Sequence, residues 1–155
     1  MALWGLAFKP GTDDMREAPS RLLMEALWRQ GVSVRAYDPH SMEATQAIYG
    51  ARNDLLFCGT KEAALTGADV LVVCTEWKPF WSPDFGEIKA VLNYPVIFDG
   101  RNLYDPKRLQ DQGLQYFAIG RQNKVGQNVA AEGQKLSEIS KPLAEGTKSP
   151  DVVST

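Results

Sequence analysis

Short apolar runs alternate with amphipathic helical stretches from Leu3 to Ile119, and this alternation constrains the fold more than any other feature of the chain. Residues 3–8 and 70–75 are apolar or β-branched over most of their length instead of at every second position. Strands of that kind are buried on both faces, as in a parallel sheet held between helices. Further strands are expected at 32–37, 55–57, 96–98 and 116–119. Between them lie helical stretches at 19–30, 41–48, 61–65, 84–92 and 106–112. Pro19 suits a first helical position, and Gly31 is a natural stop for the helix it opens. Leu22, Leu23, Ala26 and Leu27 are its expected buried stripe. Thr60 is positioned to cap the helix at 61–65. Strands separated by helices make this an α/β chain, a Rossmann-like doubly wound, mainly parallel sheet of five to six strands with helices on both faces.

The composition changes after Gly120-Arg121: residues 122–155 hold no aromatic side chain and are rich in Gly, Lys, Glu, Ser and Gln. A folded domain is therefore expected over 1–121 and a disordered tail over 122–155, with a transient helix near 129–139. Met1 and Ala2 lead straight into the first apolar run, which is the expectation for a piece of a longer protein. A net charge of -2 provides no basic footprint for nucleic acid. No apolar run approaches the ~20 residues of a membrane span, and no secretion signal opens the chain. Cys58 and Cys74 show neither metal-ligand nor redox spacing, and His40 is the single histidine, so a zinc site is not expected. These features fit a reducing, cytoplasmic setting.

In an open parallel sheet, ligands bind beyond the carboxyl ends of the strands. That rule selects residues 9–18, residues 75–83 and residues 99–102. The first of these loops is long and charged, a binding-loop candidate. Its glycines do not follow the dinucleotide fingerprint, and no Gly-Lys-Ser/Thr is present. Lys9 and Arg16 offer side-chain cations to a phosphate instead, and Arg101 follows the Asp99-Gly100 turn with the same potential. Each taken singly is ordinarily a solvated surface charge. Asp13 and Asp14 read as turn or capping acids rather than metal ligands. Trp77, Phe80 and Trp81 suit either stacking on a base or folding back on the core. Both cysteines read as inert small hydrophobes, and His40 as a surface turn residue.

The combination is more specific than its parts. Residues 5–20, Gly5-Leu6-Ala7-Phe8-Lys9-Pro10-Gly11-Thr12-Asp13-Asp14-Met15-Arg16-Glu17-Ala18-Pro19-Ser20, resemble the opening of the C-terminal domain in the UDP-glucose/GDP-mannose dehydrogenase family. Tyr37-Asp38-Pro39, Thr75-Glu76-Trp77 and Phe98-Asp99-Gly100-Arg101-Asn102 follow in the family's order. The resemblance covers about residues 3–121 and leans to the UDP-glucose branch over the GDP-mannose and UDP-N-acetylmannosamine branches. It implies oxidation of a sugar C6 alcohol to a carboxylate by two NAD-dependent hydride transfers, through a cysteine-bound thiohemiacetal and thioester. It places NAD mainly in a separate N-terminal domain, with the catalytic cysteine also in that half and dimerisation carried by a central helix. It further implies that Phe8, Lys9 and Arg101 contact the UDP-sugar and that Arg16 reaches toward the NAD of the other domain. No catalytic residue of the family falls within this chain, so the chain alone is expected to be inactive. Two other readings stay open: a stand-alone nucleotide-binding or regulatory module, and a receiver-like or flavodoxin-like domain using Asp13 and Asp14.

Overall fold

In the computed structural model, which describes residues 1–121, β1 (Ala2–Trp4) lies at the centre of the sheet and is completely enclosed. It is followed by α1 (Pro19–Arg29), β2 (Val34–Tyr37), α2 (Met42–Tyr49), β3 (Leu55–Phe57), α3 (Lys61–Leu65) and β4 (Leu71–Val73). A single 3₁₀ turn (Lys78–Phe80) then precedes α4 (Phe85–Val91), β5 (Val96–Asp99), α5 (Pro106–Asp111) and β6 (Gln115–Ala118). All six strands run parallel, in the order β3-β2-β1-β4-β5-β6. The α/β, doubly wound expectation holds. The expected tail at 122–155, with its helix near 129–139, lies outside the described residues.

Strand order runs one way from β1 to β3 and the other way from β4 to β6. Right-handed crossovers then place α1 and α2 on one face and α3, α4 and α5 on the other. The two core clusters show that division. Leu3, Val34, Ala36 and Val72 pack with Met24 of α1 on one side. Ala2, Trp4, Leu71, Val73 and Ile97 pack with Leu65, Ile88 and Leu109 on the opposite side. Alternate residues of one strand thus serve different cores, which is why the central strands are apolar throughout. Trp4 anchors the second core: it stacks on Phe80 with centroids 5.2 Å apart, and its indole N–H donates to Lys61 O at 2.8 Å.

Thr60 caps α3 as expected, accepting from Ala63 N, and Asp84 and Asp105 cap α4 and α5 in the same way. The expected stripe of α1 is corrected. Ser20 and Met24 are its buried residues, Leu23 and Leu27 are half-buried, and Leu22 and Ala26 face outward, Leu22 with 74% exposure. The sequence holds apolar residues on more than one side of a short helix, and packing selects the side. The first and fourth strands are also shorter than the apolar runs that announce them. Gly5, at φ +88°, turns the chain out of β1. Beyond it the Leu6 and Ala7 amides bond to a side chain instead of a neighbouring strand.

Candidate functional site

The strand order reverses between β1 and β4, and a crevice beyond the carboxyl ends of the strands is the expected place for a ligand in such a sheet. Two buried aspartates shape this edge. Asp38, directly after β2, is fully enclosed. Its Oδ2 accepts from Leu6 N (2.7 Å), Ala7 N (3.1 Å) and the Trp77 indole (3.0 Å), and its Oδ1 from His40 N (2.8 Å) and Ser41 N (2.9 Å). Asp99, closing β5, accepts from Arg101 N at 2.7 Å, Leu103 N at 2.7 Å and Tyr116 Oη at 2.8 Å. Each carboxyl group holds the loop that leaves its strand. The carbonyls of the first loop are tied as well: Ser20 Oγ donates to Leu6 O, and Thr75 Oγ1 donates to Ala7 O at 2.6 Å.

Gly5 makes this arrangement possible. A Cβ built there would lie 2.5 Å from Thr75 Cβ and 2.6 Å from Thr75 N, and its φ lies in the left-handed region. Only glycine permits both the turn and so close an approach of the post-β4 backbone.

Arg101 joins the three loops that the sheet rule selected. Its Nε donates to Cys74 O at 2.8 Å and its Nη2 to Phe8 O at 3.1 Å, so a side chain from beyond β5 clasps the chain ends of β4 and β1. Glu76 Oε2 stands 3.0 Å from the same Nε. Among the described residues, Arg101 uses the Nε–Nη2 side of its guanidinium within the protein. The Nη1–Nη2 edge keeps donors for a ligand, with the planar geometry that pairs with a phosphate. Phe8 and Lys9 are exposed at this edge, Phe8 with 44% of its surface in solvent.

Arg16 is placed differently. It is exposed and forks onto Asp14, with Nη2 2.7 Å and Nε 3.2 Å from Oδ2. This neighbour holds the Asp14 carboxyl down at about 2. The geometry thus brings Phe8 and Arg101 together, with Lys9 adjacent in the chain, and gives Arg16 a local partner. Of the aromatic trio, Trp77 and Phe80 fold into the core while Trp81 stays exposed, its indole donating to Glu76 O. His40 is exposed and lies against Trp77, their centroids 5.0 Å apart. Cys58 and Cys74 are free thiols. Burial pushes the Cys74 thiol up to about 12, which keeps it protonated near neutrality.

The sequence marks Thr75 and Glu76 as part of a candidate ligand-binding loop and Asp38 as part of a motif, but gives none of the three an individual role. A polar residue placed directly after an apolar strand was the available signal. The use of Asp38 also bears on where a dinucleotide can sit. In a dinucleotide-binding sheet the acid after the second strand faces a ribose, and the amides of the first turn cradle the pyrophosphate. Here Asp38 and the Leu6 and Ala7 amides satisfy one another. Pro19 begins α1 without an N–H, and no side chain caps that helix. The described residues do not fit a dinucleotide pyrophosphate at this turn. Among them no cluster of metal-binding side chains occurs, and no helix is long and apolar enough to cross a membrane.

Comparisons with known proteins give the chain's family. Residues 2–106 match the model of the UDP-glucose/GDP-mannose dehydrogenase family, UDP binding domain. A UDP-glucose 6-dehydrogenase of Pseudomonas aeruginosa is 52% identical over 124 residues, 78% of this chain and 27% of that protein. Another of Rhizobium meliloti is 39% identical over 123 residues, again 78% of this chain and 27% of that protein. Among solved structures, an NDP-N-acetyl-D-galactosaminuronic acid dehydrogenase of Methanosarcina mazei superposes with a TM-score of 0.64 at 28% identity, over 77% of this chain and 24% of that one. The chain therefore spans about a quarter of the length of the curated relatives it matches. With a family model covering most of the described residues and a relative more than half identical, the chain belongs to the UDP-glucose/GDP-mannose dehydrogenase family, in which residues 2–106 form the UDP binding domain.

Proposed function

We propose that this chain is the nucleotide-sugar-binding part of an NAD-dependent UDP-glucose 6-dehydrogenase, in which UDP-glucose, two NAD and water become UDP-glucuronate and two NADH. Within it, Arg101 and Lys9 hold the UDP diphosphate and Phe8 lines the sugar nucleotide. The observation that carries this reading is the Arg101 clasp, Nε to Cys74 O and Nη2 to Phe8 O, which fixes a guanidinium at the reversal of strand order. A cation held by a preformed frame loses little freedom when an anion arrives, and so binds it more tightly than a mobile one.

NAD, in this reading, is held by a separate N-terminal domain of the same polypeptide, because the amides after β1 are committed to Asp38. NAD supplies the hydride acceptor. The part of this chain is to bind and orient the sugar nucleotide and, on closure against the other domain, to help exclude water. Arg16 lies on the exposed side of the same loop, and its fork on Asp14 would have to open before it could reach a cofactor in that domain. The parent is a homodimer or larger assembly in the cytoplasm, a setting that fits two free thiols. The chain alone is inactive.

A titration of the isotope-labelled chain with UDP, UDP-glucose, GDP-mannose and NAD tests the reading. Amide shifts around Phe8, Lys9 and Arg101 with the uridine ligands alone are the expected result. Equal response to GDP-mannose would move the assignment to the other branch of the family. NADH formation from UDP-glucose by the chain by itself would refute its inactivity.

A further inference from the structure

Glu76 stands at the carboxyl end of β4, two residues beyond the carbonyl that Arg101 grips. Its Oε2 lies 3.0 Å from Arg101 Nε. That oxygen is enclosed, yet among the described residues it accepts no hydrogen bond. The reason is directional. Arg101 has one Nε–H, and it points at Cys74 O at 2.8 Å. The guanidinium is therefore oriented by two neutral carbonyls, Cys74 O and Phe8 O. Glu76 adds negative charge beside the cation without adding a directional bond. An enclosed acceptor left unbonded costs stability, which the ion pair with Arg101 offsets, and orientation of the guanidinium does not account for Glu76.

We propose that Glu76 is the resident counter-charge of Arg101, and that it weakens, and thereby sets, the hold of this domain on a nucleoside diphosphate. The inference rests on the reading of Arg101 as a diphosphate contact. A phosphate arriving at the Nη1–Nη2 edge meets a guanidinium that already has a carboxylate at its opposite side. The two anions share one cation and repel each other across it. Arg101 can then stay fixed in its frame while its attraction for the ligand is moderated. Such moderation suits a site that must release a product bearing the same diphosphate as its substrate, because equally tight binding of every state gains no rate.

The sign of the effect distinguishes this role from a structural one, since damage to a loop does not raise affinity. Calorimetric titration of the chain with UDP is compared for the wild type, Glu76→Gln and Glu76→Ala, with circular dichroism confirming that each is folded. Both variants are expected to bind UDP about tenfold more tightly at low salt, from Coulomb's law at protein-surface dielectric. Added salt should shrink that gap. Equal or weaker binding by folded variants overturns the proposal and leaves Arg101 in place as a contact. Absence of UDP binding in the wild type and both variants overturns the reading of the site, and this inference with it.

Discussion

The indole N–H of Trp77 donates to Asp38 Oδ2 at 3.0 Å, and the same oxygen accepts the backbone amides of Leu6 and Ala7. One buried side chain after β2 thus ties the exit of β1 to the loop beyond β4. The frame that holds Phe8 and Arg101 depends on that knot. Asp38→Asn keeps the shape but replaces one acceptor by an NH₂ donor. Whichever way the amide turns, at least two N–H groups lose their partner. A loss of about 2–5 kcal/mol in urea-induced unfolding is expected, from the cost of leaving buried donors unpaired. Trp77→Phe removes a single donor and should cost only about 1–2 kcal/mol.

Gly5 separates backbone strain from crowding. Gly5→Ala puts a Cβ 2.5 Å from Thr75 Cβ at a φ of +88°, so β1 and the post-β4 backbone must part. A loss above about 3 kcal/mol, or failure to fold, is expected by circular dichroism. Gly11 has a similar φ of +79° but nothing within 4 Å of a built Cβ. Gly11→Ala should cost only the left-handed strain, about 1–2 kcal/mol. Equal losses at the two positions would show that the close approach to Thr75 carries no energy.

Lys9 and Arg101 should differ in what their removal disturbs. Arg101→Ala takes donors from Cys74 O and Phe8 O, so it should lower stability by about 1–2 kcal/mol and abolish measurable UDP binding. Lys9 is exposed. Lys9→Ala should leave unfolding within about 0.5 kcal/mol of the wild type and weaken UDP binding roughly 3–10-fold. Calorimetry and thermal melts on the same samples check both halves. Unchanged affinity in Lys9→Ala removes that residue from the site.

Cys74 gives a pH dependence with a definite sign. Burial raises its folded pKa from 9.0 to about 12. A group raised in the folded state stabilises it fully below the unfolded pKa, and that contribution is lost as pH rises through the folded value. Stability should therefore begin to fall above pH ~9, where the unfolded thiol ionises first. Tyr104 and Tyr116 are raised by burial too, but from 10.0, so their loss starts later. Melting temperatures of Cys74→Ala measured between pH 8 and 10 should decline less than those of the wild type; parallel curves would rule Cys74 out as the source.

The chain announces its class of fold in local patterns. Apolar runs on both strand faces, Pro19 and Gly31 around the first helix, and Thr60 before the third act through local geometry, so they are legible one segment at a time. It also marked the three loops beyond β1, β4 and β5, because the carboxyl-end rule needs only the strand boundaries, and the motif in residues 5–20 pointed to the family. Tertiary structure decided which side chains serve each other. Periodicity left apolar residues on several sides of α1 competing for its inner face, and packing chose Leu23 and Leu27 alongside Met24 while turning Leu22 out. Arg16 found Asp14 two residues away, whereas Arg101 reached back 93 residues to Phe8 and 27 to Cys74. Asp38 turned inward to amides 31 and 32 residues before it. Such pairings depend on strand register and on the direction each side chain takes at the sheet edge. Both are set only when distant segments meet, so no local pattern encodes them.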